Sequence, residues 1–193
     1  MIRKIFPHII FLAIFSFTSN YAQTFETNWK PAQEGNKIIL IRHALAPGGG
    51  DPEGFKLNDC STQRNLNQEG IDQSKIIGKL FKRYKVQIDQ VLSSQWCRCK
   101  DTARYAFKDY KKYSALNSTF QSPYDEKAKI QIKKLKNFVK NWNGKGGNLI
   151  LVTHYVVITA VTDAIPRSGE IIITDKNFKV LSTIKTLSHI KKK

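Results

Sequence analysis

At 193 residues the chain is long enough for one domain with a substantial core and too short for two. Its 41% hydrophobic and 24% charged residues are ordinary for a soluble globular fold and exclude a polytopic membrane protein. A formal charge of +17 points to anionic company, but the lysines are scattered, with no basic helix interleaved by aromatics, so nucleic acid is not an expected partner.

Arg3 and Lys4 precede an apolar run over residues 9–17, followed by small and polar residues up to Ala22. A basic start, a short apolar centre and a small residue before Gln23 describe a secretory leader over residues 1–22, leaving a domain over 23–193. The apolar centre is shorter than the about 20 residues a bilayer span needs. No later segment reaches that length, so a periplasmic or secreted protein is expected. Retention of the leader as an anchor is the alternative.

Residues 23–36 are polar and read as a lead-in. Residues 37–42 form a strand whose centre, 38–41, is fully apolar, of the kind covered on both faces in a parallel sheet. Residues 46–65, rich in Gly, Pro and Asp, form a long loop directly after His43, placed to cover a site. Asn67 is a credible N-cap for a helix whose buried face is Ile71, Ile76, Ile77, Leu80, Phe81 and Tyr84. A strand over 86–92 and a helix over 97–107 follow. A further helix over 125–142 presents Ile130, Ile132, Leu135, Phe138, Val139 and Trp142. Gly144-Lys145-Gly146-Gly147 lacks the rest of a phosphate loop and reads as a plain turn. A strand over 149–152, a helix over 156–162 and a loop over 163–169 come next. Strands over 170–174 and 178–187 then pair around Asp175-Lys176-Asn177 as a hairpin. The alternation predicts an α/β three-layer sandwich with a mostly parallel central sheet and a C-terminal hairpin.

In such a sheet, ligands bind beyond the carboxyl ends of the strands. Arg42-His43 and His154 leave the tips of two strands, and Arg98 follows a third. A neutral imidazole accepts a phosphoryl group, and covalent transfer splits one difficult displacement into two easier ones. Arginine forks hold the phosphoryl oxygens by bidentate contacts. The attacking imidazole must stay neutral, which cationic neighbours favour. A carbonyl accepting from one ring nitrogen would aim the other at phosphorus.

The ordered motifs Leu40-Ile41-Arg42-His43-Ala44, Arg64-Asn65-Leu66-Asn67-Gln68-Glu69-Gly70, Ser93-Ser94 with Arg98 and Thr102-Ala103, and Val152-Thr153-His154 resemble the histidine phosphatase superfamily. The resemblance implies a metal-independent phosphatase acting on phosphomonoesters, without metal or organic cofactor. His43 would be its phosphohistidine nucleophile, Arg42, Arg98 and His154 its phosphoryl pocket, and Arg64 a substrate-binding residue. It also implies a small phosphorylated substrate or an anionic envelope component as partner, in the periplasm or outside the cell. Tyr155 stands where the acid-phosphatase branch has its proton-donating Asp, so Asp51, Glu53, Asp59 and Glu170 are the remaining acid candidates. Export permits a disulfide, between Cys60 and either Cys97 or Cys99. Two other readings stay open: a phosphate-binding or envelope-interaction module without catalysis, and a zinc hydrolase using Cys97, Cys99 and histidines.

Overall fold

The computed structural model describes residues 27–186, so the leader read over residues 1–22 lies outside the described residues. Six strands build the sheet: β1 (Ile38–Arg42), β2 (Ile88–Ser93), β3 (Lys111–Lys112), β4 (Asn148–Thr153), β5 (Ile171–Thr174) and β6 (Val180–Ile184). Their order is β3-β2-β4-β1-β5-β6. The first four strands in that order run parallel, while β5 is antiparallel to both neighbours and forms the C-terminal hairpin with β6. The predicted architecture is therefore the observed one.

β1 explains the layering. Ile38, Ile39, Leu40 and Ile41 are all fully buried, so both faces of the strand need a cover. Ile39 and Ile41, with Ile150 and Val152 of β4, face α2 (Gln68–Arg83) and α3 (Cys97–Phe107). Ile38 and Leu40, with Leu149 and Leu151, face α4 (Ala128–Asn141) and α5 (Tyr155–Thr162). Pairing of Arg42 with Thr153, and of Ser93 with Val152, brings the three strand tips level.

Asn67 caps α2 as read from the sequence, its Oδ1 accepting from the Gly70 N–H at 2.9 Å. Four local expectations change. The lead-in contains a one-turn helix, α1 (Lys30–Gln33), preceded by Trp29, which is fully buried, stacked on Tyr84 at 4.9 Å and edge-on to Phe81 at 5.4 Å. Ile130 is 74% exposed: residues 125–127 form a 3-10 turn, α4 starts later, and its buried residues are Leu135 and Val139. Phe178 takes a left-handed φ of 64° in the hairpin turn, so β6 begins only at Val180. The two-residue edge strand β3 is too short to leave a pattern in the sequence.

A groove of about 1110 Å³ lies at the start of β2, the opposite end of the sheet from the strand tips. Lys75, Lys79, Lys82, Lys85, Lys108 and Lys111 line it, so part of the charge excess gathers there.

Candidate active site

Three strand tips hold the site by their backbones. The His43 N–H donates to the Thr153 carbonyl and the Ser94 N–H to that of Val152, both at 2.9 Å. The Gly169 N–H, entering β5, approaches the Arg42 and His43 carbonyls at 3.1 Å. Beyond the tip, Thr102 Oγ1 accepts from the Ala44 N–H and Gln73 Oε1 from the Leu45 N–H, each at 2.9 Å. Gly70 shows why the helix entry needs glycine: a Cβ there would stand 2.0 Å from the Leu45 carbonyl oxygen. α2 thus abuts the segment that carries His43.

His43 and His154 are each 2% exposed, with ring centroids 5.5 Å apart. His43 Nδ1 lies 2.8 Å from the Ala44 carbonyl, which can only accept, so Nδ1 carries the proton and Nε2 the lone pair. Burial, then the Arg98 charge, pushes the His43 pKa well below the usual histidine value, against the Ala44 carbonyl, with Arg64 and Arg42 adding to the fall. His154 is shifted the same way, by burial and then by Arg98, His43, Arg64 and Arg42. Both rings are neutral at pH 7. His154 Nε2 stands 3.0 Å from Ser94 Oγ and 3.4 Å from Cys99 Sγ. Burial pushes the Cys99 thiol up to about 12, so its S–H stays on beside the His154 ring.

The cations fall into two sets. Arg42 Nη1 donates to the Pro166 carbonyl at 2.9 Å, and its guanidinium lies over the Tyr155 ring at 5.3 Å. Arg98 Nη1 pairs with Asp51 Oδ1 at 2.7 Å, both side chains being at most 3% exposed. Arg42 Nε and Arg98 Nε are buried N–H groups without a hydrogen-bond partner among the described residues. Such donors are expensive to leave unmet, and an anion's oxygens would meet them. Arg64 donates to the carbonyls of Gly50 and Ala46, so much of its fork secures the long loop, while its charge still reaches both histidines.

The four acid candidates separate. Asp51 takes Arg98, the Trp96 Nε1–H at 2.9 Å and the Arg64 N–H at 3.0 Å. Burial by itself raises the Asp51 pKa, but the contacts with Arg98, Trp96 and the Arg64 N–H bring it below the usual carboxylate range. Asp51 is therefore an anion that fixes Arg98. Glu170 Oε2 accepts from the Arg167 N–H at 2.9 Å, Asp59 caps the 3-10 turn at residues 60–62, and Glu53 is exposed. None of the four is placed as a proton donor. Cys60 pairs with Cys97 and Cys99 is free and buried, so Cys97 is no thiolate ligand and the zinc reading loses its sulfur pair. Sequence reasoning missed the supporting roles of Gln73, Ser94, Trp96 and Thr102, because each acts through a partner remote in the chain.

No protein-family model matches the chain, and no curated protein matches it. Solved structures do. TTHB049 from Thermus thermophilus superposes with a TM-score of 0.55 at 17% identity, over 77% of this chain and 98% of that one. The protein histidine phosphatase SixA, solved with tungstate, gives 0.53 at 13% identity, over 79% of this chain and 99% of its own. A proposed α-ribazole-5′-P phosphatase from Escherichia coli gives 0.56 at 16% identity, over 79% and 97%. The fold of this chain is that of these solved structures, the protein histidine phosphatase SixA among them.

Proposed function

We infer that the chain is a phosphatase that hydrolyses phosphomonoesters through a phosphohistidine on His43. The observation that carries this reading is the pair of unpartnered Arg42 and Arg98 Nε–H groups in the site whose imidazole presents a bare Nε2. In the first step the Nε2 lone pair forms a bond to phosphorus while the ester P–O bond breaks, its electron pair leaving on oxygen. Arg42 and Arg98 hold the non-bridging oxygens, and the ring N–H of neutral His154 donates to one of them. In the second step water attacks phosphorus, the P–N bond breaks, and its electron pair returns to Nε2 as inorganic phosphate leaves. The arginines meet the phosphoryl charge, so the mechanism routes no step through a metal.

The leader read over residues 1–22 supports a periplasmic or secreted enzyme, whose substrates come from periplasmic or cell-envelope phosphates. Phosphate release from p-nitrophenyl phosphate by residues 23–193, with EDTA present, tests the reaction. Wild type turns over and His43→Ala does not. Turnover by His43→Ala refutes the covalent step, loss of activity in EDTA refutes metal independence, and silence in both chains favours a binding module.

A further inference from the structure

Two aromatic groups adjoin the site, one at His154 and one at Arg42. On one side Trp96 meets His154 edge-on at 5.4 Å, with Tyr124 at 4.8 Å and Phe55 at 5.8 Å from the indole. On the other, Tyr155 lies beneath the Arg42 guanidinium, and Phe120 sits 6.1 Å from Tyr155. Phe120 is 52% exposed, and Ile165, next to the Pro166 that holds Arg42, is 78% exposed. Few large apolar side chains face solvent in the described part of the molecule, and these two reach Arg42 through one residue each, Phe120 through Tyr155 and Ile165 through Pro166. Apolar surface left open at the rim of a polar site is surface for a ligand.

A second observation is independent of the first. The carboxylates nearest the pocket are spent: Asp51 on Arg98, Trp96 and the Arg64 backbone, and Glu170 on the Arg167 backbone. At Asp51 these hydrogen bonds favour the ionised form and leave no proton to give. The site therefore suits a leaving group that departs unprotonated.

We propose that the site selects aryl phosphates, the flat ring lying against Phe120 and Tyr155 while the phosphoryl group occupies the Arg42–Arg98 cradle. This inference rests on the phosphatase reading above. His43 Nε2 forms the P–N bond, the P–O bond to the ring breaks, and the electron pair leaves on a phenolate that takes its proton from water. A phenol ionises near pH 10, so its anion is a tolerable leaving group, whereas an alkoxide is far more basic and needs an acid. Phe120 is a specificity-determining residue in this scheme, not a catalytic one.

Phenyl, benzyl and glycerol phosphates separate the ring contact from the demand on the leaving group. Wild type turns over phenyl phosphate at least about 100-fold faster than the two alkyl esters, the deficit expected where no acid assists. Benzyl phosphate has a KM about 3- to 10-fold below that of glycerol phosphate, the size of one aromatic contact. Phe120→Ala removes that KM difference, while Phe120→Trp keeps it. Equal KM values for benzyl and glycerol phosphates in wild type overturn the ring contact. A glycerol phosphate kcat equal to that of phenyl phosphate overturns the missing acid. Hydrolysis of none of the three, with the protein folded, defeats the phosphatase reading itself and takes this inference with it.

Discussion

The site is assembled from two halves held by different means. Arg42, His43 and His154 ride on the tips of β1 and β4, where inter-strand backbone bonds fix them and no carboxylate among the described residues pairs with Arg42. Arg98, Asp51 and Arg64 belong to the long loop and the start of α3, and a buried ion pair plus the Cys60–Cys97 bridge hold them. The strand half is rigid because its backbone is already part of the sheet. The loop half has no ladder, so side chains and a covalent link must do the positioning. Removing a group from the first half should thus disable chemistry, and removing one from the second should unfold the site.

The sharpest contrast comes from His43→Ala. Turnover of p-nitrophenyl phosphate should fall by at least about 10³-fold, some 4 kcal/mol on the barrier, with thermal unfolding little changed. A residual rate within tenfold of wild type would remove the nucleophile from the strand half. Asp51→Ala should act the other way, costing about 3–5 kcal/mol of stability in denaturant unfolding because it strands the buried Arg98 charge. A loss below 1 kcal/mol would mean the pair is dispensable and the two halves are held alike.

Reduction of the bridge, or Cys60→Ser with Cys97→Ser, should lower stability by about 3–4 kcal/mol, given the 37-residue separation it closes. Reductant should leave the double variant unaffected. The smallest effect concerns protons on the strand half. The folded pKa values of His43 and His154 lie below the unfolded value of about 6.5, so the unfolded chain binds more protons once pH falls below it. Stability contributed by the neutral rings is complete above pH 6.5 and should drop by about 1–2 kcal/mol between pH 7 and 5.5. Replacing both histidines by Gln should flatten that slope, and an unchanged slope would assign it to other groups.

The strand half was legible in the sequence and the loop half was not. Unbroken apolar runs before His43 and His154 announce buried strands, and the ends of such strands are where a parallel sheet presents its ligands. Arg98 could be placed after a third strand for the same reason. Asp51 could not be assigned, because its partner lies 47 residues away and loop geometry alone brings them together. The bridge was open between two cysteines that α3 separates: residues two apart on a helix point about 200° apart. Cys97 turns to the loop and Cys99 to His154. Trp29 gives no sign of its burial in the sequence, because a single turn of helix carries no periodicity.

The place of β1 in the sheet bears on how the chain is made. Its two neighbours, β4 and β5, follow it by more than a hundred residues. During synthesis this strand of four buried apolar residues, with His43 after its tip, has neither edge paired until about residue 150, and one edge stays open until residue 171 is available. An open apolar edge is a template for association with other chains. Such long-range pairing is also slow to form. The tip that carries His43 is thus completed among the last events of folding, and a nascent chain cut short before β5 is an aggregation hazard.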